Sequence, residues 1–129
     1  MNSLRLSDSF LEKFERYDFS KIKEERIFLV GSITNAKEYF YEIETILQIK
    51  YDKIVSLCSV DGLLHKKQFS KKEWNKLQKI AMKKLAFQDA ILVLDIENYI
   101  GEQSREEIEY FQKKLNKPVY YLSKLKRSS

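Results

Sequence analysis

A chain of 129 residues with 43% hydrophobic and 33% charged residues has the balance of one globular domain and excludes a disordered segment. Its single cysteine, Cys58, excludes an internal disulfide, and with one histidine it excludes the usual structural zinc site. The net charge of +5 is compatible with phosphate-bearing partners but does not identify one. The sequence has no long apolar run and no secretory signal, which predicts a cytoplasmic protein that does not bind membranes.

In chain order, apolar runs alternate with segments of helical spacing. Residues 7–17 combine a cap signal with helical spacing and predict a short helix inside an amino-terminal helical extension over residues 1–25. Buried strands are predicted at Arg26–Val30, Ile54–Leu57, Ala90–Asp95 and Val119–Leu122. Helices are predicted at Asn35–Lys50, Ser70–Phe87 and Ser104–Leu115. The last residues, 123–129, are expected to form a frayed tail.

Strands that are apolar at consecutive positions and alternate with helices are typical of a parallel sheet covered on both faces. We therefore predict a single α/β domain over residues 1–129. In such sheets ligands bind outside the carboxyl ends of the strands, near the point where strand order reverses. Residues 31–35, 59–64 and 95–104 follow the first three strands and are expected at that edge.

Two of these segments could carry chemistry. Residues 31–35, Gly-Ser-Ile-Thr-Asn, form a small turn whose backbone N–H groups could hold a phosphate. On spacing alone, a plain turn with an N-cap by Thr34 or Asn35 is the favoured interpretation. Asp95 ends the most apolar strand, where a carboxylate suits a ligand better than packing. Four glutamates then cluster near a helix start, namely Glu102, Glu106, Glu107 and Glu109, where the helix dipole favours acidic residues. Ser104 and Glu107 also match a capping box, which would need no catalysis.

The helix predicted at Ser70–Phe87 has a basic face. Its lysines at helical spacing are Lys72, Lys76, Lys79 and Lys83, opposite Trp74, Leu77, Ala81 and Leu85. A solvated face of an amphipathic helix is the favoured interpretation. A nucleic acid is not expected as a partner, because Trp74 is expected to face the core instead of lying among the lysines.

The stretch NYIGEQSREEIEYFQKKLNKPVYYL over residues 98–122, with RIFLVGSIT and DAILVLD upstream, resembles the nucleoside 2-deoxyribosyltransferase superfamily. Relatives in this superfamily include deoxynucleoside monophosphate N-hydrolases and short bacterial and phage proteins. The similarity covers most of residues 26–122. It implies a flavodoxin-like or Rossmann-like three-layer sandwich with a short parallel sheet in the order 2-1-3-4 and room for a fifth strand. It also implies a homodimer or a larger homo-oligomer, with Tyr39, Phe40 and Tyr110 as candidate contacts.

The resemblance also implies a substrate and a reaction. The substrate is a nucleoside or nucleoside monophosphate, whose N-glycosidic bond is cleaved, or whose deoxyribosyl group is transferred, without a metal or an organic cofactor. The resemblance maps the glutamate nucleophile onto Glu107, with Asp95 beside the sugar or base. A nucleophile must be ionised, and a first-turn position is expected to lower the pKa of Glu107. The predicted substrate-binding residues are Gly31, Ser32, Ile33, Tyr99, Gly101, Glu102 and Ser104.

Two positions depart from the family pattern. Phe28 stands where many relatives have a tyrosine, and the segment AMKKLAFQ over residues 81–88 has no acidic residue where many relatives have one. The alternative is therefore a non-catalytic nucleotide-binding or sensing module of the same fold. A protein-interaction module that uses the lysine face is a third interpretation.

Overall fold

In the computed structural model the described residues are 8–31, 33–57, 69–96 and 102–127. The strands are β1 Arg26–Gly31, β2 Ile54–Leu57, β3 Ala90–Leu94 and β4 Val119–Tyr121. The helices are α1 Asp8–Leu11, α2 Ile33–Tyr51, α3 Lys71–Ala86 and α4 Glu102–Glu109. Short 3₁₀ segments lie at Phe19–Lys21 and Leu122–Leu125, and a π-helical segment, Tyr110–Lys114, continues α4. Within these ranges every helix is too short or too polar to cross a bilayer.

The four strands form one parallel sheet in the order β2-β1-β3-β4. Ile27 in β1 lies opposite Val55 in β2 and Ala90 in β3, and Leu92 in β3 lies opposite Tyr120 in β4. The predicted α/β class, strand order and flavodoxin-like architecture are therefore confirmed. Each strand is within one residue of its predicted bounds, and the described residues contain no fifth strand.

Side chains of β1 and β3 alternate between two hydrophobic clusters, one on each face of the sheet. On the α2 face, Ile27, Leu29, Leu92 and Leu94 pack with Phe40, Ile43 and Leu47 of α2. On the α4 face, Phe28, Val30, Ile91 and Val93 pack with Leu85 of α3 and with Ile108 and Phe111 of the last helix. All five residues of β3 are buried, because both faces of this strand are covered.

The amino-terminal segment covers the α2 face but is less helical than predicted. Among the described residues α1 ends at Leu11 after 4 residues, and turns connect it to the 3₁₀ segment at Phe19. Phe14, Phe19 and Ile22 are buried in the cluster of the α2 face. Their aromatic and aliphatic side chains attach the segment through packing, so it is part of the domain core.

The carboxyl-terminal tail is also attached, and the prediction of a frayed tail is wrong as far as Arg127. Leu125 is 3% exposed and lies in the α2-face cluster. Tyr17 and Lys126 form an antiparallel bridge. The N–H of Asp18 donates to Leu125 O at 2.7 Å, and the N–H of Arg127 donates to Arg16 O at 2.7 Å. Burial of one leucine and pairing with the amino-terminal segment therefore order residues that look polar in sequence.

Helix α3 has the predicted two-sided character only in part. Lys72, Lys76, Lys79 and Lys83 are all exposed, as predicted. On the predicted apolar face Leu85 is fully buried, but Ala81 is half-buried and Leu77 is 40% exposed. Trp74 is half-buried at the boundary, so its ring is less enclosed than predicted. Among the candidate dimer contacts, Phe40 is fully buried within the chain and therefore cannot meet a partner.

Candidate functional site

The carboxyl ends of β1 and β3 lie side by side at the point where the chain changes face. Gly31 ends β1 and is in register with Leu94, which ends β3. The chain continues from β1 into α2 on one face and from β3 towards α4 on the other. This is the topological switch point at which ligands bind in open α/β sheets. The segments predicted to form the site, residues 31–35 and 95–104, therefore begin at this edge of the sheet.

Gly31 has a packing reason to be glycine. A Cβ atom at this position would lie 2.9 Å from Leu94 O and 3.2 Å from Leu94 Cβ. The first distance is shorter than ordinary van der Waals contact, so any side chain would push β1 away from β3. The glycine thus allows two strand ends to approach closely, whether or not a phosphate binds there.

Among the described acidic side chains of α4, Glu107 is the buried one. It is 6% exposed, and its neighbours Ile108 and Phe111 are buried in the cluster of the α4 face. Its Oε2 atom is buried without a hydrogen-bond partner in the described part of the chain. By contrast Glu106 is exposed, and Glu109 is exposed and pairs with Lys113 at 3.3 Å. The rotation of about 100° per residue along a helix separates Glu107 from its acidic neighbours, as predicted.

Burial raises the pKa of Glu107 to about 7, and the negative charge of Glu106 contributes in the same direction. The expectation of a lowered pKa is wrong. Helix α4 begins at Glu102, so Glu107 lies beyond the first turn, where the helix dipole has little effect. Desolvation of the carboxylate therefore decides the direction. Near neutral pH this group is present in both protonation states, which suits a carboxyl that reacts or transfers protons.

The capping-box explanation for Glu107 is also wrong. Ser104 lies inside the first turn of α4 and not at its N-cap, so Glu107 does not have the N3 position of a capping box. A capping box does occur at the start of α3. Ser70 Oγ accepts from the Glu73 N–H at 3.1 Å, and Glu73 Oε1 accepts from the Ser70 N–H at 2.8 Å. The sequence SKKE over residues 70–73 carries the signal for this cap in its residue types alone.

Asp95 follows β3 and is held by a single residue beyond β4. Its Oδ1 accepts from the Ser123 N–H at 3.0 Å, and its Oδ2 accepts from the Ser123 hydroxyl at 2.5 Å. Ser123 belongs to the 3₁₀ segment Leu122–Leu125, so Asp95 caps this segment from a distant part of the chain. Each carboxylate oxygen can accept a second hydrogen bond, and a ligand could therefore still bind Asp95.

A cleft of about 300 Å³ opens beside Asp95 on the α2 face. Residues from the amino-terminal segment, α2 and the carboxyl-terminal segment form its walls. We call it the Asp95 cleft; its main lining residues are Arg16, Tyr17, Tyr39, Asp95, Ser123 and Lys126. Glu107 is not among the described residues that line it. In the described part of the chain Asp95 and Glu107 therefore do not share this cavity.

The other predicted site residues are described only in part. Ser32, Tyr99 and Gly101 lie outside the described residues. Ile33 begins α2, and Glu102 and Ser104 lie in the first turn of α4. The backbones of these three residues lie at the predicted edge of the sheet, but their side chains are not described. Within the described ranges no group of three or more histidine, cysteine, aspartate or glutamate residues could hold a metal ion.

Comparison with known proteins adds no further site residues. The chemistry of Glu107 and of the Asp95 cleft follows from the contacts and charges around them. No family model matches the chain, and no curated protein or solved structure matches it either.

Proposed function

We propose that this protein cleaves the N-glycosidic bond of a nucleoside or nucleoside monophosphate, by hydrolysis or by deoxyribosyl transfer, with Glu107 as the reacting carboxyl. The observation that carries the proposal is the buried Oε2 atom of Glu107, which has no hydrogen-bond partner among the described residues. The resemblance to the nucleoside 2-deoxyribosyltransferase superfamily assigns the nucleophile to the same residue.

A buried carboxyl of this kind is costly for folding. Removing a carboxylate from water without a partner opposes its ionisation, which is why the pKa of Glu107 is raised. An apolar residue would pack beside Ile108 and Phe111 without that cost. Ionisable groups with strongly shifted pKa values are concentrated at functional sites. A reactive role for Glu107 therefore accounts for a glutamate at this position.

The chemistry requires Glu107 in its ionised form. One carboxylate oxygen forms a bond to the anomeric carbon of the sugar while the bond from that carbon to the base nitrogen breaks. The electron pair of the broken bond stays on the base, which takes a proton from solvent as it leaves. Water or a second base then attacks the anomeric carbon and loses a proton to solvent, while the bond from that carbon to the carboxylate oxygen breaks and releases the carboxylate.

The second candidate is a module that binds or senses a nucleotide without cleaving it. The bonding of Asp95 favours this candidate, because both carboxylate oxygens already accept hydrogen bonds from Ser123. A carboxylate that caps a turn is less available to move protons at a leaving base. Phe28 also favours the binding module, because it is fully buried on the α4 face and lacks the hydroxyl group of the tyrosine that many members of the superfamily have at this position.

The test is release of free base, measured by chromatography, from a panel of ribonucleosides, deoxyribonucleosides and their 5′-monophosphates. We expect Glu107→Gln to reduce the rate by about a thousandfold or more, because glutamine preserves the shape but cannot form the anion. Glu106→Gln is the matched control, since Glu106 is adjacent in sequence and exposed. It should retain activity within a few-fold.

The outcomes separate the two candidates. Normal turnover by Glu107→Gln would remove the catalytic assignment. If the wild-type protein releases no base from any member of the panel, but a monophosphate raises its melting temperature, the binding module is the function.

A further inference from the structure

The Asp95 cleft contains two basic side chains whose positions are set by backbone pairing. The antiparallel bridge places Tyr17 opposite Lys126, and the Arg127 N–H donates to Arg16 O. Arg16 and Lys126 therefore come from opposite ends of the chain and meet at one cleft. Because the pairing uses main-chain atoms, both side chains remain available for a ligand.

The charges in the cleft favour an anion. In the described part of the chain neither Arg16 nor Lys126 forms an ion pair, whereas the neighbouring Arg127 pairs with Asp18 at 3.9 Å. The acidic group in the cleft is Asp95, and Ser123 already donates two hydrogen bonds to it. Two unpaired cations beside one hydrogen-bonded carboxylate leave a site with an excess of positive charge, which attracts phosphate or carboxylate groups.

The aromatic side chains of the cleft provide a rigid apolar surface. The Tyr39 ring is half-buried and meets Phe14 edge-on, with 5.7 Å between ring centroids. Tyr17 is 6% exposed, and the guanidinium of Arg16 lies 5.1 Å from the centroid of its ring. Rings that are held in place by packing can contact a flat ligand with little loss of conformational entropy. The cleft volume of about 300 Å³ is at the lower end of the range for small-molecule sites.

We propose that the Asp95 cleft binds a small molecule in which a phosphate or carboxylate is attached to a flat ring. The anionic group contacts Arg16 and Lys126, and the ring lies against Tyr39. This site lies on the α2 face, whereas Glu107 packs on the α4 face, so the proposal does not rest on the proposed cleavage reaction.

A set of simple ligands tests the two halves of this recognition separately. Phenyl phosphate carries both groups, inorganic phosphate carries only the anion, and phenol carries only the ring. Benzoate distinguishes a carboxylate from a phosphate. Binding is measured from amide chemical shifts in titrations of the full chain, followed at Tyr17, Tyr39 and Ser123. We expect phenyl phosphate or benzoate to bind at least about tenfold more tightly than phosphate or phenol, because both contacts are needed.

Charge-neutralising variants then identify the cations. The double variant Arg16→Gln/Lys126→Gln should weaken phenyl phosphate binding by at least about tenfold. The matched control is Arg105→Gln/Lys113→Gln, which removes the same charge from exposed positions on the last helix. The control should bind phenyl phosphate as the wild-type protein does.

Three results would overturn the proposal. They are equal affinity for phenol and phenyl phosphate, equal weakening by the control double variant, and the absence of shifts at the cleft up to millimolar ligand. If the Arg16→Gln/Lys126→Gln protein fails to fold, the affinities of the wild-type protein for the four ligands still test the proposal. Phenyl phosphate has no N-glycosidic bond, so neither a positive nor a negative result depends on base release.

Discussion

Ser123 donates both its main-chain N–H and its hydroxyl group to the carboxylate of Asp95, at 3.0 Å and 2.5 Å. The two residues are 28 positions apart in the chain. The pair joins the end of β3 to the segment that follows β4, and it forms one side of the Asp95 cleft. Asp95 therefore stabilises the contact between these two segments. A ligand that contacts Asp95 would use the carboxylate lone pairs that Ser123 leaves free.

We expect Ser123→Ala to lower the free energy of unfolding by about 1–2 kcal/mol, because it removes a hydrogen bond to a charged acceptor in a half-buried site. Urea denaturation measures the loss. In the Asp95→Asn background the same substitution should cost less, since the charged acceptor is gone. Equal costs in the two backgrounds would show that the pair is not coupled.

The buried carboxyl of Glu107 should make stability depend on pH. Its pKa is about 7 in the folded chain, against an ordinary value of 4.5. Between these values the folded chain keeps a proton that the unfolded chain releases, so the free energy of unfolding falls as pH rises and levels off above pH 7. The whole change is about 3 kcal/mol. Urea denaturation across the same pH range measures this change. The free energy of unfolding of Glu107→Gln should not decrease with pH in this way, whereas that of Glu106→Gln should. If the stability of the wild-type protein does not decrease between these pH values, the raised pKa of Glu107 is contradicted.

The rate of base release should depend on the same group. If ionised Glu107 is the nucleophile, kcat/KM rises with pH and reaches a plateau above a pH of about 7. Glu106→Gln should move the midpoint to lower pH, because the charge of Glu106 contributes to the raised pKa of Glu107. Steady-state kinetics at several pH values measures both effects. A rate that falls through this range would instead make Glu107 a proton donor.

Leu125→Ala tests whether the carboxyl-terminal segment belongs to the core. Its side chain is 3% exposed on the α2 face, so truncation should cost about 2–4 kcal/mol in the free energy of unfolding. Lys124→Ala is the control, because Lys124 is the exposed neighbour and should change stability by less than about 0.5 kcal/mol. Similar small losses for both variants would mean that the segment contributes nothing to stability.

Gly31→Ala should separate the ends of β1 and β3. The new Cβ would lie 2.9 Å from Leu94 O, a backbone atom that cannot rotate away. We expect a loss of about 1–3 kcal/mol in stability, measured by thermal or urea denaturation. Amide chemical shifts should change most at Leu94 and Asp95. A variant with wild-type stability would show that the strand ends can move apart without cost.

The sequence by itself determined the strands, the helices α2, α3 and α4, and the face of the last helix that is buried. Strands covered on both sides are apolar at consecutive positions, which is why the bounds of β1 to β4 could be predicted to within one residue. The helical repeat likewise predicts, from sequence position alone, that Glu107 and Glu106 point to different sides of the helix. Both signals depend on backbone geometry over a few neighbouring residues, and that geometry is the same in every parallel sheet and every α-helix.

Only the tertiary structure decided what surrounds those residues. The direction of the pKa shift of Glu107 depends on desolvation by side chains from other elements, and it reversed the expectation drawn from helix position. The partner of Asp95 lies 28 residues away, and Arg127 bonds a residue 112 positions earlier. The tail KLKRSS looks frayed in sequence because one leucine among polar residues carries no periodic signal. Residues 124–127 are ordered by their contacts with the distant amino-terminal segment, and no local run of residues shows those contacts.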